Sequence, residues 1–105
     1  MANQVELVSS PYKTMAKNQT SQPLSSTGAA GDVLDGILIV PETTSPGVVT
    51  LIDGATSITI FTGGAGSVSN LVPIPVPLFG IRSTSGGWKV TTGDNVHILA
   101  AGRIT

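Results

Sequence analysis

The chain has 105 residues, of which only 10% are charged, against roughly 25% in typical soluble proteins, and its formal net charge is −1. A chain without a positive excess cannot neutralise a phosphate backbone, which argues against nucleic acid as a partner. The absence of cysteine excludes disulfides and thiol chemistry, and no apolar run reaches the ~18 residues that span a membrane.

The first 27 residues predict an extended N-terminal arm. They are rich in Ser, Thr, Asn and Gln, and Pro11 and Pro23 interrupt any regular element. Such a segment buries too little apolar surface to offset its ordering entropy. It is either a tail without a role or an arm that becomes ordered on a neighbouring subunit. In the second case its anchors are the intermittent apolar residues Val5, Leu7, Val8, Tyr12, Met15 and Leu24.

Residues 28–105 predict an all-β domain. Short runs rich in Val, Ile and Thr alternate with Gly, Pro, Asp and Asn, and no window has helical periodicity. Pro46-Gly47 predicts a turn and Asp53-Gly54 a hairpin turn. We expect a compact β-sandwich or small barrel of about seven short strands, of undetermined topology. The predicted strands are Leu34–Val40, Val48–Ile52, Thr56–Phe61, Phe79–Ser83, Trp88–Thr92 and Val96–Ala101.

Two of the apolar segments also indicate where their strands lie in the fold. The continuous run from Ile37 to Val40 is typical of a strand covered on both faces. In LVPIPVPLF, residues 71–79, Pro73, Pro75 and Pro77 all remove donors from the same lateral edge. This predicts an edge strand protected against open-ended pairing, with a polyproline-like segment laid over the sandwich as the alternative.

No combination of polar residues predicts catalysis. His97 is the only histidine, and an arrangement with Asp94 and either Ser83 or Ser85 lacks both the G-x-S-x-G motif and a triad spacing. A single imidazole without cysteine argues against a transition-metal site. We therefore expect no enzyme activity, no catalytic residue, no cofactor and no metal.

The aspartates and the tryptophan each have a structural and a functional interpretation. Aspartates in turns bond their own backbone more often than they bind calcium. This applies to Asp32, Asp35, Asp53 and Asp94. Trp88 is either a core residue or an exposed residue, in the latter case a sugar-stacking platform or an interface anchor.

The segments GAAGDVLDGILIVPETTSPGVVTLIDG, from Gly28, and GIRSTSGGWKVTTGDNVHILAAGRIT, ending at Thr105, resemble small virion structural proteins of tailed bacteriophages. Proteins of this kind are often capsid cement or decoration proteins that bind as trimers and strengthen the expanded shell. The resemblance implies a non-enzymatic cement protein, made in the host cytoplasm and located on the outer capsid surface of the virion. It also implies the major capsid protein as partner and a homotrimer.

The alternative is a tail or fibre module of the virion that binds host carbohydrate. The resemblance carries no interface motif, so the candidate interface residues come from the sequence pattern. They are the six arm residues named above together with Pro73, Pro75, Pro77 and Trp88.

Overall fold

A computed structural model describes residues 12–105, which form two four-stranded antiparallel sheets packed on each other. The strands are β1 (Tyr12–Met15), β2 (Gln22–Pro23), β3 (Val33–Pro41), β4 (Val49–Asp53), β5 (Thr56–Phe61), β6 (Ile74–Arg82), β7 (Lys89–Thr92) and β8 (Val96–Arg103). Sheet A has the order β1-β8-β3-β6 and sheet B the order β2-β7-β4-β5. The predicted all-β sandwich is confirmed.

The core is a layer of aliphatic side chains between the two sheets. Because side chains alternate between the faces of a strand, every second residue of the central strands points into this layer. Burying each such side chain contributes about 1.5–3 kcal/mol. The residues that lose all or nearly all of their exposure are Leu34, Ile37 and Ile39 of β3, Val49 and Leu51 of β4, Val90 of β7, and Val96, Ile98 and Ala100 of β8.

The strand predictions from residue 33 onward agree with the structure. Thr56–Phe61 has the predicted bounds, and β3, β4, β7 and β8 differ from their predicted bounds by one or two residues at an end. The Asp53-Gly54 hairpin is confirmed, since Asp53 pairs with Thr56 and Gly54 has a φ of 61°. The proline segment from Ile74 onward and the strand predicted after it form one continuous strand, β6, whereas residues 71–73, with Pro73, precede it.

Residues 12–27 belong to the sandwich, although the sequence predicts an arm up to residue 27. Met15 and Leu24 lie in the core. The backbone is held as well, because Leu24 donates to the Trp88 carbonyl at 3.0 Å and Thr92 donates to the Gln19 carbonyl at 2.9 Å. Apolar burial alone does not order this segment, and backbone pairing along β1 and β2 supplies the remaining stabilisation. Residues 1–11 lie outside the described part.

At one end of the sandwich, the β3–β4 and β7–β8 connections, which both run between the sheets, contact each other at a glycine in each. Gly47 donates to the Asp94 carbonyl and Gly93 to the Val48 carbonyl, both at 2.7 Å. A Cβ on Gly47 would lie 2.8 Å from the Gly93 Cα, and one on Gly93 equally close to the Gly47 Cα. Only a pair of residues without side chains permits this approach. The turn predicted at Pro46-Gly47 is wrong, because the chain makes no turn there and Gly47 does not have a positive φ. Gly47 instead lies in the connection between β3 and β4, which joins the two sheets.

The proline segment is an edge strand, as predicted. β6 pairs with β3 alone among the described strands, with Pro75 opposite Leu38 and Pro77 opposite Gly36. Since proline has no N–H, the free lateral edge of β6 lacks donors at these positions. Ile74, Val76 and Leu78 pack against the core. The polyproline overlay without ladder bonds is excluded.

We predict that Met15→Ala lowers the free energy of unfolding by about 2–4 kcal/mol, because a buried side chain is lost from the core. Tyr12→Ala, three residues earlier in the same strand, is the control, since Tyr12 is 66% exposed. Urea unfolding of both variants measures the difference. Equal stability of the two variants would contradict the placement of β1 in the sandwich.

A second prediction concerns the free lateral edge of β6. Replacing Pro73, Pro75 and Pro77 together by Thr restores donors along the free side of β6, so the variant should pair edge to edge and aggregate more readily than the parent. Light scattering over a concentration series measures this. Unchanged particle size at every concentration would show that another chain or segment already covers the edge.

Candidate protein-interaction site

The outer face of sheet B is polar. Thr50, at its centre, pairs with Thr59 of β5 on one side and with Thr91 of β7 on the other. The next outward position, Ile52, pairs with Ser57 and Lys89. Hydroxyl and charged side chains of this kind suit a sheet face that remains in contact with water.

The centre of the outer face of sheet A is apolar. Two central rows of its outward positions run across β6, β3 and β8, and they form a surface that we call the sheet A groove. One row has Leu38 between Pro75 and Leu99, and the other has Gly36 between Pro77 and Ala101. The groove has a volume of about 380 Å³ and is lined by these residues together with Ile37 and Val76.

Among residues 12–105, the charged groups of this face lie at the two ends of the sheet A groove. At one end, Val33 pairs with both Arg82 and Arg103, and Asp35 is the acidic residue there. At the other end, His97 Nδ1 lies 2.8 Å from Glu42 Oε2 in a partly exposed pair. A partner that binds the middle of the groove is therefore recognised by its shape and by apolar contact.

Beside the groove, strand β6 carries a strained bulge. A single residue of β3, Asp35, lies opposite three residues of β6, namely Leu78, Phe79 and Gly80. Phe79 has a φ of 58° and Gly80 a φ of 74°. The left-handed region is unfavourable for a bulky residue. The bulge projects Phe79 into solvent, where the residue is 90% exposed.

Trp88 is a core residue. It is 3% exposed, and its indole Nε1 donates to the Asp32 carbonyl at 3.0 Å. The interpretations of Trp88 as a sugar-stacking platform or as an interface anchor are therefore wrong. The Asp32 carboxylate is also buried and accepts a bond from the Thr105 hydroxyl at 2.7 Å, so Asp32 ties the last residue to the core.

The structure does not bring the hypothetical hydrolytic residues together. His97 contacts Glu42. Ser83 is buried, and its hydroxyl accepts from the Gly31 N–H at 3.1 Å. Asp94 Oδ1 accepts from the Asn95 N–H at 3.0 Å. Over residues 12–105, no group of three or more His, Cys, Asp or Glu could hold a metal ion.

The predicted interface residues separate into three groups. Tyr12 and the three prolines are exposed and remain candidates. Met15, Leu24 and Trp88 are buried in the core of their own chain and are unsuitable. Val5, Leu7 and Val8 lie outside the described residues.

Sequence reasoning missed the residues that form the sheet A groove and the exposed Phe79. The run from Ile37 to Val40 did predict a strand covered on both faces. Its inner residues are buried, but Leu38 and Val40 are only partly covered. That run was the signal for the groove, whereas the bulge at Phe79 had no sequence signal except the glycine that follows it.

Comparisons with protein-family models, curated protein sequences and solved structures gave no match. The described part of the chain contains no helix of the length and apolarity needed to cross a membrane.

The sequence predicts that Asp53 bonds the backbone of its own turn, whereas its carboxylate bonds the loop after β6. Its Oδ1 accepts from the Ser85 N–H at 2.9 Å, and its Oδ2 accepts from the Thr84 hydroxyl at 2.8 Å. The Ser85 backbone bond, followed by the Thr84 bonds and against some desolvation, holds the pKa of this carboxyl below 3.8. The carboxylate thereby joins the β4–β5 hairpin to the loop after β6.

A lowered pKa in the folded state predicts how stability depends on pH. The contribution of Asp53 is present above its unfolded pKa near 3.8 and is lost as the pH falls through the lower folded value. We predict that Asp53→Asn lowers the melting temperature at neutral pH, and that the difference from the parent narrows in acid. Melting curves from pH 7 to pH 2 measure this, and a constant difference would contradict it.

Proposed function

We propose that this protein is a non-enzymatic capsid cement protein of a tailed bacteriophage. In this role it binds the outer shell of the virion and stabilises contacts between major capsid subunits. The proposal is supported by the resemblance of residues 28–105 to small phage structural proteins. It is also supported by a compact β-sandwich that exposes apolar surface along one sheet and one edge. The oligomer proposed is a trimer, assembled after synthesis in the host cytoplasm.

Phe79 is the observation that carries the proposal. Backbone strain of this kind costs on the order of 1–3 kcal/mol and persists where function requires it. Here the ring gains almost no burial in its own chain in return, because the residue is 90% exposed. Aromatic side chains that enter a pocket of the partner are typical interface hot spots. We therefore assign Phe79 to the contact with the capsid.

The position of the bulge supports the same assignment. Phe79 lies on the edge strand β6, two residues beyond Pro77, on a strand whose free edge lacks donors. A partner that approaches this edge is recognised by side chains, because the backbone offers few hydrogen bonds. Contact through side chains allows two different proteins to bind each other, while further strands cannot add to the sheet by backbone pairing.

We predict that Phe79→Asn removes capsid binding while leaving the fold intact. Asn tolerates the left-handed conformation far better than Phe, so the bulge is retained and the melting temperature stays equal or rises. Loss of a hot-spot ring should weaken the affinity for expanded capsids of the cognate phage at least about tenfold. The measurements are a melting curve and occupancy on purified capsids over a concentration series.

The matched control is Ile58→Thr. Ile58 is also an exposed apolar residue on an edge strand, at 43% exposure, but it lies in sheet B. This variant should bind capsids like the parent. Full occupancy by Phe79→Asn would overturn the assignment of Phe79, and failure of the parent chain to bind any capsid would overturn the proposed function.

A further inference from the structure

We propose that the sheet A groove binds residues 5–8, Val-Glu-Leu-Val, from the N-terminal segment of a second copy of this chain. The groove is thereby an interface between subunits, and each copy gives one segment and receives another. This inference concerns self-association, and its test uses no capsids. Its failure is therefore distinguishable from failure of the proposed function.

The groove has the composition of a surface that another segment covers. The outward residues at the centre of sheet B are threonines, whereas those at the centre of sheet A are Leu38 and Leu99. Both sheets belong to one small sandwich in the same solvent, so their difference points to different surroundings in the assembled state. The inner face of β3 is covered by sheet B, and its outer face lacks a cover among residues 12–105.

The N-terminal segment, residues 1–11, joins the described part of the chain beside this groove. Tyr12, the first described residue, pairs with Ala101, and Ala101 also pairs with Gly36. The preceding eleven residues can extend about 36 Å at ~3.3 Å each. A four-stranded sheet is only about 14 Å wide, from strand spacings of ~4.8 Å. The segment is long enough to leave its own subunit and cross the same face of a neighbour.

The spacing of apolar residues in the segment matches that of the groove. In an extended chain Val5 and Leu7 point to the same side, about 6.7 Å apart. The two rows of the groove, represented by Leu99 and Ala101, are likewise two residues apart along β8. The row with Gly36 and Ala101 has little side-chain volume, which leaves room for Val5 when Leu7 lies against the row with Leu99.

Charge also favours this occupant. Glu6 is the only residue with an ionisable side chain among residues 1–11. Arg82 and Arg103 stand on either side of Val33 at one end of the groove. A guanidinium group at the rim can pair with the Glu6 carboxylate while the neighbouring apolar residues enter the groove.

The direction of β1 points to a second copy as the receiver. Tyr12 pairs with Ala101 and Met15 with Ile98, so β1 begins at the Arg103 end of β8, and a preceding segment that kept the direction of β1 would leave the sheet there, away from Leu99. To fill its own groove it would have to reverse at once. Pro11 has a fixed φ and disfavours helical geometry at Ser10, which is compatible with an extended path. A continued extended path carries the segment onto a neighbour.

Reciprocal exchange strengthens a contact that is weak by itself. Each segment brings only three apolar side chains and must be ordered when it binds. In a closed ring of identical copies every segment and every groove is used, and the second contact forms at a high effective concentration.

Cysteine cross-linking tests this arrangement directly, because the chain has no cysteine. The probe is a mixture of two full-length single variants, Leu7→Cys in isotope-labelled chain and Leu99→Cys in unlabelled chain, under mild oxidation. A disulfide requires Cβ atoms about 3.5–4.5 Å apart. The matched control replaces the second variant by Thr50→Cys, which places the thiol at the centre of the outer face of sheet B. Mass spectrometry identifies the labelled and unlabelled partners.

We expect the Leu7–Leu99 mixture to give a mixed disulfide at least tenfold above the Thr50 control, and Glu6→Lys in the labelled chain to lower that yield. Native mass spectrometry should show an oligomer that Leu7→Asp converts to monomer. The proposal is overturned by a mixed disulfide no more abundant than the control. It is equally overturned if Leu7→Cys/Leu99→Cys in one chain forms only an intramolecular bridge, since the segment would then cover its own groove.

Discussion

The aliphatic layer between the two sheets is the contact on which the other features of this protein depend. Ile37, Ile39 and Ile98 of sheet A meet Leu51 and Val90 of sheet B, all buried almost completely. Because side chains alternate along a strand, directing these residues inward directs their neighbours outward. The inner layer therefore determines which residues form the two outer faces. In sheet B the residues so exposed are mostly polar, and at the centre of sheet A they are apolar.

A chain with so few charges depends on apolar contact and shape for association. Charge steering and surface ion pairs contribute little when 10% of residues are charged. The sheet A groove and the Phe79 bulge provide apolar surface, while the prolines of β6 remove donors from the nearest free edge. Together these features favour side-chain contacts with chosen partners over indefinite strand pairing. That combination suits a subunit that works at high local concentration on a repetitive shell.

Two residues of the sandwich have energetically unfavourable local environments. Phe79 adopts a φ that is unfavourable for its side chain, and Asp32 keeps one carboxylate oxygen, Oδ2, buried without a hydrogen-bond partner. The two costs differ in kind. Asp32 lies inside and joins Trp88 and Thr105 to the core, so its burial is compensated by neighbouring contacts. Phe79 lies outside with little contact in its own chain, which is why we connect its strain with binding.

The sequence by itself determined the all-β class, most strand positions, the Asp53-Gly54 hairpin and the edge position of the proline strand. These depend on local physics: alternation, turn stereochemistry and the missing donor of proline. Only the tertiary structure decided that residues 12–27 join the sandwich, that Trp88 is buried, and that Phe79 projects from a bulge. Each of these depends on contacts between residues far apart in the chain. Pairing of β1 with β8 and of β2 with β7 joins residues about seventy to ninety positions apart, and no local pattern encodes such a partner.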